Sequence, residues 1–198
     1  LLSRDVPIKA YGVDISRGQI DVARRRKIDK GTATYEVGDI AELRYPPDVD
    51  FVSINFDALN HLRSKELWSM IFNKIYASLK PGGSLVMDVN LPERLKDDWS
   101  NPEVIIKNDL VYIQTAEPAV IMGNAIQRRC RMMVFKGNGF GLFTRAMIVV
   151  EQYAIPLIDM NEMLKSCGFR GVDLLFHSGS APVGHIFNKN RAFFSARK

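Results

Sequence analysis

Cysteine and histidine are scarce in this chain of 198 residues, with two of the first and three of the second. Cys130 and Cys167 are far apart, and neither belongs to a CxxC motif or a Cys/His cluster. This pattern argues against a zinc site and against a disulfide framework, so we expect no metal. It fits a reducing compartment, and we expect a cytoplasmic location.

Long apolar segments are missing as well. No apolar run approaches the ~18 residues needed to cross a membrane, and we identify no signal peptide. We therefore expect no membrane association. The chain opens at Leu1-Leu2 without Met, in what reads as the tail of an apolar helix, and we expect further residues upstream.

A strong excess of either charge is also absent. Lys and Arg number 27 against 22 Asp and Glu, which gives a net charge of +5. The densest basic run, Arg24–Lys27, shares a predicted helix with Ile20, Ala23 and Ile28, so it reads as a solvated helix face. A nucleic-acid partner is the less favoured interpretation. The chain also lacks a P-loop and a serine-hydrolase elbow.

Strand-like and helix-like segments alternate over residues 9–90, which is typical of a parallel α/β sheet. We predict a Rossmann-like, mostly parallel twisted sheet flanked by helices. Strands are predicted at 9–13, 32–37, 50–55, 84–90, 172–176 and 191–196, and helices at 17–29, 64–79 and 157–167.

The pattern changes between residues 91 and 156. Strand-like runs cover 110–115, 126–135 and 142–153, and the last two flank Lys136–Gly141, which reads as a hairpin turn. We predict an antiparallel β insertion after the fifth strand, counting one strand upstream of Leu1. The whole chain then forms one domain with its core at 1–90 and 157–198. Alternatively, the glycines at 137–141 form a displaced cofactor loop, which helical structure over 142–150 would favour.

Two carboxylates end successive predicted strands. Asp14 and Asp39 are separated by one strand–helix–strand unit, so both should lie at the carboxyl edge of the sheet, where open α/β folds bind ligands. Asp14 would accept hydrogen bonds from ribose hydroxyls, and Asp39 from the amine of an adenine. Alternatively, Asp14 is a surface residue that caps a helix, and Asp39 is a turn residue.

In order and spacing, several short motifs together resemble the class I S-adenosylmethionine-dependent methyltransferases of the small-molecule type. Each motif alone is weak. The resemblance covers about residues 9–90 and 157–198, and the insertion resembles the family's substrate-covering sheet in position and pattern only. The motifs are Tyr11–Ser16, Gly38-Asp39-Ile40, Phe56–Leu62, Leu79–Leu85, Asp88-Val89-Asn90 and Leu164–Phe169.

The resemblance implies S-adenosylmethionine as cofactor and methyl transfer to a nitrogen or oxygen of a small molecule. It implies that Asp14 binds the cofactor ribose and Asp39 the adenine side, while Asn55 and Phe56 lie beside the methionine part. Three neighbours of the two carboxylates join the expected cofactor site, namely Ile15, Ser16 and Ile40.

The resemblance also implies a substrate side. Asn60 and His61 line the substrate mouth, and Asp57 is a charge partner for a substrate amine. His61 acts there as a general base or orients the acceptor. Alternatively, His61 is a structural residue at a helix start.

Two departures from the family pattern bear on function. The family's glycine-rich loop should precede Asp14 and is not present there, so we expect about 40 further residues upstream. Asn55-Phe56-Asp57-Ala58 stands where methyltransferases of nucleic-acid bases usually carry Asn-Pro-Pro-Tyr, which argues against such substrates. A nicotinamide-dependent oxidoreductase and a non-catalytic binding module remain rival functions. The oligomeric state is left open, with a dimer as one option.

Overall fold

The computed structural model describes residues 7–26, 31–97, 99, 101–139, 141–177 and 190–198. Its contacts divide the chain into two compact units, Leu1–Tyr45 and Pro46–Lys198. Each unit is described by itself, and the single-domain organisation stays a prediction. Along the described chain the elements are β1 (Ile8–Asp14), α1 (Arg17–Arg25), β2 (Gly31–Val37), β3 (Val49–Ile54), a 3₁₀ helix (Ala58–His61), α2 (Lys65–Ser78), β4 (Leu79–Asn90), α3 (Pro92–Lys96), β5 (Glu103–Lys107), β6 (Leu110–Ala116), β7 (Val120–Met122), β8 (Ala125–Gly137), β9 (Phe143–Ala154), α4 (Leu157–Ser166), β10 (Arg170–His177) and β11 (Arg191–Arg197).

The first unit is a strand–helix–strand unit. β1 and β2 pair in parallel, with Asp14 opposite Val37. α1 begins after Ser16, whose Oγ accepts a hydrogen bond from Gln19 N at 3.3 Å, as expected of an N-cap. Ile20 is the buried residue of this helix, and its arginines are exposed, as predicted. The predicted end of this helix, at residue 29, lies outside the described residues.

The second unit contains a four-stranded sheet in the order β10-β11-β4-β3. β3 and β4 are parallel, whereas β11 runs antiparallel to both β4 and β10. The α/β architecture is confirmed, but the prediction of a mostly parallel sheet is wrong. Strand patterns carry no information on direction, and no helical pattern separates the last two strands in the sequence, so they pair antiparallel.

Helix α2 lies against this sheet and supplies much of the core. It begins after Ser64, whose Oγ accepts from Leu67 N at 3.3 Å. Its apolar stripe is buried, including Trp68, Ile71, Phe72 and Ile75. The helix ends at Ser78, one residue before its predicted end, and β4 begins at once, so Gly82 and Gly83 belong to the strand.

The segment between β4 and α4 forms the predicted antiparallel insertion, here called the insertion sheet (β5–β9). Its strand order is β5-β6-β8-β7, and β9 pairs with β8. Asn138 N donates to Leu142 O at 3.1 Å in the turn between β8 and β9. Because residues 143–154 form a strand, the hairpin is confirmed and the displaced cofactor loop is wrong. The sequence analysis did not identify the short strands β5 and β7.

Two further observations on the described residues concern membrane-spanning helices and groups of metal ligands. None of the helices in the described ranges is long and apolar enough to cross a membrane. The same ranges contain no group of three or more His, Cys, Asp or Glu side chains that could hold a metal ion.

A glycine links the end of α4 to the core. Gly168 has φ of +100°, and its N–H donates to Lys165 O at 2.9 Å, while Phe169 N donates to Leu164 O at 3.1 Å. A Cβ at this position would lie 2.9 Å from Cζ of Tyr76, whose ring packs edge-on against Phe169. Both the backbone angle and the ring therefore favour glycine here.

We predict that Gly168→Ala lowers the free energy of unfolding by about 2–3 kcal/mol, because backbone strain adds to displacement of the Tyr76 ring. Urea unfolding followed by tryptophan fluorescence measures the change. Gly123→Ala is the matched control, since Gly123 has φ of +65° and no atom near the added Cβ. We expect the control to lose about 1 kcal/mol. Equal losses in both variants would contradict a role for the Tyr76 contact.

Candidate functional site

In the first unit, Asp14 and Asp39 follow the carboxyl ends of two adjacent parallel strands. Each exposed carboxylate closes a small turn: Asp14 Oδ1 accepts from Ser16 N at 2.7 Å, and Asp39 Oδ1 from Ala41 N at 2.8 Å. Gly38 N donates to Asp14 O at 3.1 Å, which joins the two strand ends. The structure thus brings both predicted carboxylates to one edge of the β1–β2 pair.

The neighbours of these carboxylates have different surroundings. Ile15 is 72% exposed. Ser16 serves as the N-cap of α1, and the Ile40 carbonyl accepts from the Tyr45 hydroxyl at 3.1 Å. Ile40 is half-buried. These three residues belong to the loops that carry the two carboxylates. Their contact with a cofactor stays a prediction.

In the second unit, the loop after β3 has an unusual backbone. Phe56 and Asp57 have φ of +57° and +51°, the left-handed region that residues other than glycine seldom adopt. Their two N–H groups both point to the carboxylate of Asp88: Phe56 N donates to Oδ1 at 2.8 Å, and Asp57 N to Oδ2 at 3.0 Å. Asp88 lies in β4, and its hydrogen bonds offset the cost of the left-handed turn.

Arg191, at the start of β11, neutralises the buried Asp88. Its Nε donates to Asp88 Oδ2 at 2.6 Å, and its Nη2 pairs with the same carboxylate. The same Nη2 lies 3.4 Å from Asp57 Oδ1, and the guanidinium stands 6.0 Å from the centre of the Phe56 ring. Arg191 is 7% exposed, so this pairing is sheltered from water.

Asp57 is one of the residues of this network that line a cavity. Burial raises the pKa of the Asp57 carboxyl above its ordinary value, and the charge of Arg191 and a hydrogen bond from Gln152 oppose that rise. Gln152 Nε2 donates to Asp57 Oδ2, and Gln152 Oε1 accepts from Asn90 Nδ2 at 2.9 Å. The network therefore links β4, β9 and the loop after β3.

Asn60 and His61 lie in the 3₁₀ helix that follows. Asn60 is fully buried, and its Nδ2 donates to Asn90 O and Tyr153 O, both at 2.9 Å. Its Oδ1 accepts from Asn90 N at 2.9 Å. Both polar atoms of the amide therefore hydrogen-bond backbone groups of β4 and β9. The substrate-binding role of Asn60 stays a prediction. His61 is exposed, and its electrostatic interaction with Asp57 opposes the rise in the Asp57 pKa that burial causes.

A cavity of about 670 Å³ lies within the second unit, between the insertion sheet and the polar network. Asp57, Asn90 and Gln152 form its polar wall, and it contains neither Asn60 nor His61 in its lining. Oδ1 of Asn90 is buried and accepts no hydrogen bond from the described part of the chain. The remaining lining residues are Arg94, Trp99, Asn101, Pro102, Glu103, Val104, Gln114 and Met132.

Four residues of this network were not predicted as site residues, namely Asp88, Asn90, Gln152 and Arg191. Asp88 belongs to one of the motifs that carry the resemblance, so a signal for it was present. Arg191 and Gln152 stand in strands without any motif, 103 and 95 residues from their carboxylate partners. Their roles depend on strand pairing at long range, which a single sequence does not specify.

The comparisons with known proteins agree with this architecture. A family described as "Methyltransferase domain" matches residues 1–83. An S-adenosylmethionine-dependent methyltransferase from Clostridium acetobutylicum superposes with a TM-score of 0.68, at 13% identity, over 98% of this chain and 85% of that one. The chain has the class I methyltransferase fold. The predicted resemblance is therefore confirmed.

Two further relatives share this methyltransferase fold or sequence. CalS10, an amino pentose methyltransferase from Micromonospora echinaspora with bound S-adenosylmethionine, gives a TM-score of 0.65 at 15% identity, over 98% of this chain and 84% of that one. The Bacillus subtilis protein named "Putative methyltransferase YqeM" is 25% identical over 166 residues, or 80% of this chain. The chain spans 64% of the length of that relative.

We predict that Asp88→Ala lowers the free energy of unfolding by about 3–5 kcal/mol, because the buried guanidinium of Arg191 loses the carboxylate that it contacts most closely. Two N–H groups of the left-handed turn also lose their acceptor. Urea unfolding measures the change, and Asp88→Asn, which keeps one acceptor oxygen, should lose less. Asp50→Ala is the control, since Asp50 pairs with Lys80 on the surface. A loss at Asp88 no larger than at Asp50 would contradict this account.

Proposed function

We propose that this methyltransferase-fold protein transfers a methyl group from S-adenosylmethionine to a nitrogen or oxygen atom of a small-molecule acceptor. The observation that carries the proposal is the cavity beneath the insertion sheet, with the Asp57 carboxylate in its wall. Its volume falls within the range usual for small-molecule sites. The family match and the methyltransferase neighbours support the reaction class and the cofactor.

The residues at the β1–β2 edge fit the nucleoside half of this cofactor. Ribose hydroxyls and the adenine amine are hydrogen-bond donors, and Asp14 and Asp39 offer exposed carboxylate acceptors at adjacent strand ends. We propose that Asp14 binds the ribose and Asp39 the adenine amine. Ile15, Ser16 and Ile40 would contribute the loops around them.

Within the second unit, we propose that Asn55 and Phe56 contact the methionine part of the cofactor. Both are exposed, and the Phe56 ring is 69% exposed although its backbone is fixed by Asp88. An exposed aromatic ring on a fixed backbone offers apolar surface without losing further backbone freedom on binding. Asn55 Nδ2 donates to the Ser53 hydroxyl at 3.2 Å, which leaves its carbonyl oxygen as an acceptor.

We favour a nitrogen acceptor, which the name of CalS10 as an amino pentose methyltransferase also supports. Asp57 is suited to attract a protonated amine, because a carboxylate in a partly buried site interacts strongly with a cation. The buried Oδ1 of Asn90 adds an acceptor for an amine or hydroxyl proton. Gln152 and Arg191 hold Asp57 in position for this contact.

The bound cofactor supplies an activated methyl group on a positively charged sulfur. The chain has to orient the acceptor and exclude water. An amine attacks only when neutral, so a base must take its proton, and His61 is the residue that we propose for this step. His61 ends the 3₁₀ helix, four residues after Asp57, and interacts with it electrostatically.

Calorimetry on the protein tests the reaction class, and S-adenosylhomocysteine is the probe. We expect it to bind while NAD does not, which would exclude the nicotinamide-dependent oxidoreductase. We further predict that Asp14→Ala weakens the binding of S-adenosylhomocysteine by about 10–100-fold, because a charged acceptor is lost. Asp21→Ala, an exposed carboxylate paired with Arg24, is the control. Equal affinity in Asp14→Ala and wild type would reject the ribose assignment.

We predict that His61→Ala lowers kcat at least about tenfold and leaves the affinity for S-adenosylhomocysteine nearly unchanged, because the lost group moves a proton rather than holding the cofactor. Methyl transfer to a panel of small amines and their hydroxyl counterparts provides the assay. Asp57→Asn should instead raise KM for amines more than for the hydroxyl compounds. Unchanged turnover in His61→Ala would remove it from the mechanism, and cofactor binding without any transfer would favour a binding module.

A further inference from the structure

The amide side chains in the wall of the cavity have orientations that their neighbours fix. An ionised carboxylate only accepts hydrogen bonds, so Gln152 turns its Nε2 toward Asp57 and its Oε1 toward Asn90. Asn90 donates through Nδ2 to Gln152 at 2.9 Å, which leaves its Oδ1 as the amide atom available to a ligand. This part of the wall, here called the Asp57 end (Asp57, Asn90 and Gln152), therefore offers oxygen atoms to the donors of a ligand.

A second polar pair lies elsewhere in the wall of the same cavity. Gln114 and Glu103 both line it, and they are directly opposite one another on the paired strands β6 and β5. Side chains at such opposite positions have Cβ atoms about 5 Å apart. The amide of Gln114 and the carboxylate of Glu103 can therefore contact a single group of a ligand together. This pair is here called the Gln114 end.

The hydroxyl of Tyr112 orients the amide of Gln114. It lies 2.6 Å from Gln114 Oε1 and donates to it, because a carbonyl oxygen carries no hydrogen. Burial is the main cause that raises the pKa of this hydroxyl, and Glu103 also contributes, so the hydroxyl keeps its proton at neutral pH. The Gln114 amide therefore offers its Nε2 to the cavity, as a donor beside the Glu103 carboxylate.

The geometry of the insertion sheet separates the two ends. Gln114, Met132 and Ile148 are successive register partners on β6, β8 and β9, and Gln152 lies four residues beyond Ile148. Two strand spacings of about 4.8 Å and four residues of about 3.4 Å place the Cα atoms of Gln114 and Gln152 about 17 Å apart. Met132 lines the cavity on the strand between them. A ligand that reaches both ends therefore carries two polar groups with an apolar segment between them.

We propose that the Gln114 end binds a hydroxyl group of the methyl acceptor, which is then an amine with a hydroxyl at a distance from its nitrogen. A hydroxyl accepts from Gln114 Nε2 and donates to Glu103, which satisfies both groups. A second ammonium group would leave the Gln114 N–H without an acceptor, and a carboxylate would be repelled by Glu103. This inference rests on the proposed function, since that function places the amine at Asp57.

Calorimetry with and without S-adenosylhomocysteine tests the hydroxyl site, using linear ω-amino alcohols and alkylamines of equal length as probes. We expect the longer amino alcohols to bind at least about tenfold tighter than the matching alkylamines, because they add two hydrogen bonds. Gln114→Leu should lower this ratio to about one, and Glu103→Gln, at an exposed position, should lower it as well.

Gln127→Leu is the matched control, and we expect it to keep the ratio of the wild type. Gln127 is a half-buried glutamine of β8 that pairs with Glu151 on the face of the sheet opposite Met132. Circular dichroism checks the folding of each variant. Should Gln114→Leu fail to fold, Glu103→Gln still tests the site, because it keeps the size of the side chain.

Several results would overturn the hydroxyl site and leave the proposed methyl transfer intact. These are equal binding of amino alcohols and alkylamines, no binding of either, or an advantage that survives in Gln114→Leu and Glu103→Gln. Tighter binding of ω-diamines would make Glu103 an ammonium site, and tighter binding of ω-amino carboxylates would assign that end to Arg94, which also lines the cavity. Hydroxyl-dependent binding in a protein that binds no S-adenosylhomocysteine would instead support the Gln114 end and contradict the proposed function.

Discussion

The buried ion pair of Asp88 and Arg191 is the constraint on which the candidate site of the second unit depends. One carboxylate accepts from two successive backbone N–H groups and from a guanidinium, and so fixes the left-handed turn at Phe56 and Asp57. The same guanidinium reaches Asp57, whose carboxylate faces the cavity. A carboxylate with this many donors is held in place, so Asp88 acts on the site through the residues that it positions.

Local features of the fold were readable from the sequence. The caps at Ser16 and Ser64, the apolar stripe of α2 and the glycine-rich hairpin before β9 each depend on residues within a few positions of one another. The strand directions were not readable, because direction is set by connections rather than by composition. β11 runs antiparallel to both of its neighbours, which the prediction of a mostly parallel sheet did not anticipate.

The residues of the candidate site also differ in whether they could be predicted from local sequence. Asp14 and Asp39 were found because each ends an apolar run, and the parallel pairing of β1 and β2 brings them to one edge. Arg191 could not be found in this way, since its partners lie about a hundred residues earlier in the chain. A motif predicted Asn60 as a substrate-binding residue, but in the structure its amide joins two strands. Long-range contacts decide what a buried amide binds, and a motif does not specify them.

The three hydrogen bonds of the Asn60 side chain have a consequence for the wall of the cavity. One amide holds the end of β4 and the end of β9 together through three buried hydrogen bonds, so the insertion sheet is anchored at that end. Asn90 and Gln152, which line the cavity near these strand ends and are joined by a hydrogen bond of 2.9 Å, are therefore fixed relative to one another. An arrangement of acceptors that exists before binding reduces the conformational entropy that is lost when a molecule binds there.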